Sequence, residues 1–354
     1  MQINKIYYKI FTIAMAVLLM VSCEKEIEFK GSEVKPMMVV NGLVTPDSTI
    51  KVHLSKSKFF LSNKEGIELI PNADIDIYIN GEAKGKMQYK EFGEYNKSGI
   101  YTSSVRPNIN DTVKLIVANT DNIEGVQAEV VVPKQSVILS VDTVSQTTQY
   151  EVEIYEFDGE NYVPSKAYNY SKKLMVSITI DDPPLVENFY RLNARTRSQL
   201  HYPDTTYVWE EYEYFYPESS DNPSGGLLGF IEDFNMARKN YTFTDEFYDG
   251  KKIILKFETT MYSWSDNTYP GNNEYGGENS QPVGLQDPDS RSKQLIVNLQ
   301  SISKEMYLYF KTKESAEDVF ETFFTEPVQI YSNVENGTGV LGAYTSHEII
   351  IDLP

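Results

Sequence analysis

The sequence contains one cysteine, Cys23, in 354 residues. A chain with a single thiol cannot form an internal disulfide, so its stability must come from burial of a core and not from covalent cross-links. Histidine is also scarce, and the three residues (His53, His201 and His347) occur in no zinc-binding spacing. No Gly-x-Ser-x-Gly nucleophile elbow is present, so the sequence indicates no catalytic residues and predicts a protein that is not an enzyme.

Basic residues are outnumbered, with 32 Lys and Arg against 51 Asp and Glu, a net charge of −19. A surface this acidic repels phosphates and anionic headgroups, which excludes nucleic acid as a partner. It suits cations, basic partners or simple solubility.

The first residues contain one apolar run, Ile10–Val21, after the basic residues Lys5 and Lys9. Twelve residues are too few to span about 30 Å of hydrocarbon, but they match the length of a signal-peptide core. A small residue, Ser22, precedes Cys23, as a lipoprotein signal peptidase requires. We therefore predict a signal peptide over residues 1–22 and lipidation of Cys23; the alternative is an ordinary secretory signal with an incidental cysteine.

An acidic tether, residues 23–36, follows the predicted cleavage point. Its cluster Glu24–Phe29 resembles the surface-export signal of Bacteroidetes lipoproteins, although a merely solvated tether is the alternative. Removal of residues 1–22 takes away two lysines and no acidic residue, which changes the net charge from −19 to −21.

The body has short apolar stretches broken by turn residues and little helical periodicity. Ile50–Leu54 and Ala73–Ile79 alternate strictly between apolar and polar residues, and Asn80-Gly81 is a hairpin signal. Roughly seven such strands in about 100 residues predict an immunoglobulin-like β-sandwich over residues 37–135. The other strands of this series are predicted at Met37–Val40, Gly99–Val105, Thr112–Ala118 and Gln127–Val132.

A second, larger β-rich domain is predicted over residues 136–354. Its one short helix is expected near Ser315–Phe324, where Ser315 has the spacing of an N-cap residue. Strands are expected at Leu174–Ile180, Phe189–Ala194, Lys252–Phe257, Gln294–Leu299 and Glu348–Leu353. Two long loops, residues 201–226 and 263–290, interrupt the pattern, and loops of that length are usually functional or mobile.

The first loop carries an acidic and aromatic stretch, Tyr207–Tyr216. Amphipathic aromatic residues of this kind are enriched at protein interfaces, so we predict a partner-binding surface. The alternative is a hairpin that packs its own rings against the domain. The residues predicted to bind a partner are Tyr207, Trp209, Tyr212, Tyr214 and Tyr216.

Two smaller features complete the motifs. Asp287 and Asp289 in the second loop offer the hard oxygen ligands that Ca²⁺ prefers, although a solvated polar loop is the default interpretation. Asn333–Gly339 has the composition of a tight turn with positive φ at its glycines.

The sequence resembles the Bacteroidetes lipoprotein family known as domain of unknown function 4249. The resemblance implies an outer-membrane lipoprotein, often encoded beside a TonB-dependent receptor, with no assigned catalytic residues. It is carried in order by Val39–Asp47, Asn188–Leu192, Phe243–Gly250 and Pro327–Ala343.

These observations together predict a lipid-anchored accessory or ligand-binding protein of the outer membrane, at the cell surface, that partners a TonB-dependent transporter. Two other classes stay open at this point. One is a secreted hydrolase acting on glycan or peptide, and the other is a purely structural envelope component.

Overall fold

The structure is a computed structural model that describes residues 35–58, 66–92, 98–120, 122–157, 159–202, 205–213, 239–246, 248–265, 291–320 and 328–353. Strands predominate in these residues, which contain one helix. The prediction of an all-β fold with one helix is therefore confirmed. That helix is neither long enough nor apolar enough to cross a bilayer.

The described elements are seventeen strands and one helix. They are β1 Met38–Val44, β2 Lys51–Lys56, β3 Ile75–Ile79, β4 Glu82–Lys86, β5 Gln88–Phe92, β6 Ser98–Thr102, β7 Thr112–Val117, β8 Val126–Val131, β9 Val137–Phe157, β10 Tyr162–Asp181, β11 Phe189–Tyr202, β12 Thr205–Tyr212, β13 Asn240–Thr244, β14 Lys252–Ser265, β15 Arg291–Ile302, α1 Lys304–Phe320, β16 Val334–Glu335 and β17 Thr338–Leu353.

The largest sheet has nine strands, in the order β12-β11-β15-β17-β1-β2-β6-β5, and β13 also pairs with β11. Its pairings are antiparallel except that of β1 with β17, which is parallel and places Val40 opposite Gly339. Two smaller sheets cover it, one of five strands (β16-β8-β7-β3-β4) and one of three (β14-β10-β9). Each small sheet encloses a hydrophobic core with part of the large one.

The first core lies between the five-stranded sheet and β1, β2, β6 and the start of β17. Its alternating strands bury every second side chain: β7 has the burial pattern intermediate, buried, intermediate, buried through Val117. Ile50, Ile75 and Leu115 are among the side chains fully buried here. The strict alternation seen in the sequence therefore marks the strands that face this core.

The second core lies between the three-stranded sheet and β11, β13 and β15. Leu174, Ile178, Tyr190, Phe243 and Leu295 belong to it. Strand β17 contributes to both cores, because its beginning packs in the first and its end borders the second. The proposed division into domains at residues 135 and 136 stays a prediction.

Helix α1 begins at Lys304, eleven residues before its expected start near Ser315, so the predicted start was wrong. Ser303 is the N-cap: its Oγ accepts a hydrogen bond from Met306 N at 3.3 Å. Ser315 instead lies inside the helix and donates to the carbonyl oxygen of Lys311 at 3.0 Å. Met306 and its neighbours pack on Phe189, and this contact with the sheet fixes where the helix starts.

The two predicted loops are shorter than expected where the structure describes them. The 201–226 region begins as strand, because β11 continues to Tyr202 and β12 occupies Thr205–Tyr212. The 263–290 region likewise begins as the end of β14. Backbone pairing of β12 with β11, and of β14 with β10, continues beyond the residues where the sequence shows a hydrophobic pattern.

Candidate functional site: an exposed edge strand and an acidic groove

Strand β12 contains three of the residues predicted to bind a partner. All eight residues of β12 are exposed, and the exposed fractions are 59% for Tyr207, 43% for Trp209 and 54% for Tyr212. In the described part of the chain β12 pairs with β11 alone, so it forms an edge of the nine-stranded sheet. Tyr214 and Tyr216 lie outside the described residues, as do Cys23, Asp287 and Asp289.

The rings of β12 lie on both faces of the sheet. Trp209 is paired with Ser198 and Tyr212 with Arg195, and paired residues share a face. Tyr207 and Trp209 therefore lie on the face that carries the second core further along β11, whereas Tyr212 lies on the opposite face. The exposed edge thus presents aromatic area in two directions.

Polar contacts between side chains connect β12 to β11. Glu210 forms ion pairs with Arg197 at 2.7 Å and with Arg195 at 2.9 Å, and Arg195 also reaches Glu348 of β17 at 2.9 Å. Hydrogen bonding to Arg197, together with the charges of both arginines, lowers the pKa of Glu210. Backbone hydrogen bonds to β11 and these ion pairs therefore hold β12 in place. Burial of its aromatic rings is not required to keep the strand in the sheet.

A second site was not predicted from the sequence. Two turns, one preceding β11 and one following β13, bind each other's backbone through aspartates. Asp182 Oδ2 accepts a hydrogen bond from Gly250 N at 2.8 Å. In the other direction, Asp245 Oδ2 accepts one from Asn188 N at 2.9 Å.

Asp249 adds a third bond of this kind, since its Oδ1 accepts the backbone N–H of Leu185 at 2.7 Å. One carboxylate oxygen from each of Asp182, Asp245 and Asp249 lies within 4.8 Å of the others. We call this trio the aspartate clamp. Because each carboxylate holds the backbone of the opposite turn, the arrangement fixes the two turns to each other.

The clamp continues into the second core through hydroxyl groups. The fully buried Tyr190 donates its phenolic O–H to Asp182 Oδ1 and accepts a hydrogen bond from Ser136 Oγ at 3.3 Å. Burial raises the pKa of Asp182, and hydrogen bonds from Tyr190 and Gly250 partly oppose that rise. Burial and the bond to Asp182 raise the pKa of Tyr190 far above its ordinary value.

A groove of about 740 Å³ opens between the clamp and helix α1. Phe189 and Tyr307 both line it, and their rings pack at a tilt with centroids 4.9 Å apart. Lys304 forms an ion pair with Glu187 at 2.9 Å and lies 5.8 Å from the centroid of the Phe189 ring. The lining combines apolar and charged side chains: Leu185, Val186, Glu187, Phe189, Thr244, Asp245, Glu246, Asp249, Lys304, Tyr307 and Leu308.

Local sequence gives only a weak signal for this site. Asp181-Asp182-Pro183-Pro184 indicates a turn, and Phe243–Gly250 carries part of the family resemblance. Nothing in the spacing of the two stretches says that they meet, because about 60 residues separate them. An aspartate within each predicted turn was the available signal.

The sequence model of a family described as "Domain of unknown function (DUF4249)" matches residues 24–350. A search of curated proteins found no match to the chain. The matched region includes β12, the aspartate clamp and the groove.

Proposed function

The chain belongs to the family described as domain of unknown function 4249, and from that premise we propose that it is a lipid-anchored outer-membrane protein that works by binding. Its partner is a TonB-dependent transporter, and the chain lies at the cell surface. The lipid is carried by Cys23 after removal of residues 1–22. This is the kind of lipoprotein of Bacteroidetes that the sequence resembles.

The exposed edge strand β12 carries the proposal. Eight consecutive exposed residues that include Tyr207, Trp209 and Tyr212 provide large aromatic area without a covering layer in the described chain. Edge strands also offer main-chain donors and acceptors to an added strand. Burial of such a ring against a partner contributes on the order of 1–3 kcal/mol.

Charge supports the choice of a protein partner. Glu211 of β12 is exposed, and the mature chain has a large excess of carboxylates. Such carboxylates orient a basic rim on a partner and speed its association more than they add to affinity. Aromatic residues with an acidic rim therefore favour a protein interface over a nucleic acid or an anionic membrane surface.

The anchor is tested by Cys23→Ala. We expect the wild-type chain to incorporate labelled palmitate and partition into detergent, and the variant to be unlabelled and soluble or unprocessed. Palmitate label that survives the substitution would show that the lipid is not on this residue.

The docking edge is tested by replacing Tyr207, Trp209 and Tyr212 with serine. Because β12 is connected to β11 by Glu210 and its ion pairs, we expect the melting temperature to change by less than about 2 °C. Cross-linking of intact cells followed by mass spectrometry should identify a transporter with the wild-type chain. The triple variant should lose that cross-link.

A matched control removes three exposed rings elsewhere. Phe92, Tyr150 and Tyr155 are 55%, 52% and 57% exposed, close to the values on β12. Their joint replacement with serine should leave the cross-link unchanged. The proposal is wrong if both triple variants behave alike, or if the β12 variant unfolds several degrees earlier and keeps its partner.

A further inference from the structure

The mouth of the acidic groove is flanked by two apolar side chains that face solvent. Leu185 is 91% exposed and Val186 is 58% exposed, and both belong to the turn before β11. Apolar residues scattered singly over a surface need no explanation, but two adjacent ones on the rim of a groove form a contact feature. Neither side chain contributes to a hydrophobic core of the described chain.

The backbone presents Leu185 in an uncommon conformation. Its φ is 65°, in the left-handed region that a bulky side chain rarely adopts. Asp249 accepts the N–H of this residue, so the aspartate clamp fixes the conformation. The side chain of Leu185 is therefore held in solvent by the clamped backbone, where it is available to contact another molecule.

The groove behind these two residues is rich in negative charge. Four acidic residues line it against one basic residue, Lys304, which is already paired with Glu187. Among the described residues no lysine or arginine forms an ion pair with Glu246, an exposed residue. The negative charge acts on Tyr307, which lines the groove. Burial is the larger cause of the raised pKa of Tyr307, and the charge of the Glu246 carboxylate is the next.

Lys304 shows which chemistry the groove accommodates. Its ammonium group lies 2.9 Å from the carboxylate of Glu187 and 5.8 Å from the centroid of the Phe189 ring. Carboxylate and aromatic face together are favourable surroundings for a cation. Glu246 and Tyr307 supply the same two kinds of group to a second cation.

We propose that the groove docks a peptide segment of a protein partner that presents a lysine or arginine beside an apolar residue. The cation binds at Glu246, in the acidic part of the groove, and the apolar residue packs on Leu185 and Val186. This site is separate from β12, so the two sites can fail independently.

The test uses the full mature chain in detergent and capped nine-residue peptides with fluorescent labels. One peptide has Leu-Lys at its centre in an alanine and serine background. The control peptide has norleucine in place of the lysine. We expect the lysine peptide to bind about tenfold more tightly, measured by anisotropy. Equal affinities, or no binding at about 1 mM, would overturn the proposal.

Variants identify the site. Glu246→Lys should weaken the lysine peptide about tenfold or more, whereas Glu124→Lys, the same change in an exposed turn between β7 and β8, should alter it less than about twofold. Leu185→Gly keeps the clamped backbone and removes the side chain, so it should weaken binding at least about threefold without lowering the melting temperature. The proposal is overturned if Glu246→Lys and Glu124→Lys have the same effect on peptide affinity. Replacing Tyr207, Trp209 and Tyr212 with serine should leave peptide affinity unchanged, because β12 is a separate site.

Discussion

We expect the hydrogen bond from Tyr190 to Asp182 to stabilise the protein by an amount that depends on pH. Tyr190→Phe keeps the ring in the core and removes only the hydroxyl that bridges Asp182 and Ser136. A hydrogen bond to a charged group contributes about 1.5–3 kcal/mol, and Ser136 loses its acceptor as well. We therefore expect a loss of about 3 kcal/mol in the free energy of unfolding at pH 8.

The sign of the pH dependence follows from Asp182. Burial raises its pKa in the folded state, and the bond from Tyr190 partly opposes this rise, so the variant raises the pKa of Asp182 further. Below the ordinary value of 3.8 the carboxyl is protonated in both folded and unfolded chains, and only a neutral hydrogen bond is lost. As pH rises through the raised folded pKa, the unfolded chain ionises first, and the variant becomes progressively less stable than the wild type.

Tyr101→Phe is the matched control. Tyr101 is also fully buried, but its hydroxyl donates to the carbonyl oxygen of Ile70 at 2.6 Å and accepts from Ala73 N at 2.8 Å, and both partners are neutral. We expect a loss of about 1–2 kcal/mol that is the same at about pH 3.5 and pH 8.

Urea unfolding of the three proteins at both pH values measures these differences. Hydrogen exchange at Asn188 and Gly250 provides a local measurement, because their amides bind the clamp. The reasoning is refuted if the two Phe variants lose the same free energy at both pH values. It is also refuted if Tyr190→Phe leaves exchange at the two clamp amides unchanged.

Two further predictions concern the joints of the fold. Ser303→Ala removes the N-cap of α1 and the acceptor of Ala343 N, and should cost about 1–2 kcal/mol by thermal unfolding; a loss under about 0.3 kcal/mol would contradict the capping role. Gly339→Ala places a Cβ 2.1 Å from Val40 O at a φ of 107°, so it should cost more than about 4 kcal/mol. Gly81→Ala, with a φ of 81° and open space around it, should cost about 1 kcal/mol, and equal losses would contradict the steric argument.

Strands with one buried face were predictable from local sequence. Ile75–Ile79 has an apolar residue at every second position, and the structure buries Ile75, Ile77 and Ile79. Thr112–Val117 likewise buries Val113, Leu115 and Val117, although Ile116 on its outer face is also apolar. The outer part of β9 was missed because Thr143–Tyr155 is dominated by exposed polar residues, with no continuous apolar face. That segment is strand because it pairs along its length with β10, and a periodicity in hydrophobicity does not report such a ladder.

The turn before β17 shows the limit of assigning conformation by residue type. Its glycines were expected at positive φ, but Gly337 is not in that region and Asn336, with a φ of 59°, is. Gly337 is required for space instead, since a Cβ there would lie 2.7 Å from Met38 O. Only Gly339 has a positive φ, so the prediction holds for one of the two glycines in the turn.

The aspartate clamp could not be predicted, because its energetic basis is tertiary. Asp182 and Asp245 resemble ordinary turn residues in the sequence. Their carboxylates are functional only when the two turns meet, about 60 residues apart along the chain. Aromatic residues such as Trp209 could be singled out from the sequence, because the acidic and aromatic composition of Tyr207–Tyr216 is unusual by itself.

The four stretches that carry the family resemblance meet in two pairs in the structure. Val39–Asp47 and the described part of Pro327–Ala343 meet where β1 runs parallel to β17. Asn188–Leu192 and the described residues of Phe243–Gly250 meet in the β11–β13 pairing and the aspartate clamp. These stretches thus join elements that are distant in sequence. Their residues form backbone contacts and pack in a core. Strand β12, which carries the exposed aromatic rings, lies outside all four stretches. The groove combines both kinds of residue, because Asp245 and Asp249 of the clamp lie inside these stretches, whereas Asp182 of the clamp and the rim residues Leu185, Val186 and Glu187 lie outside them.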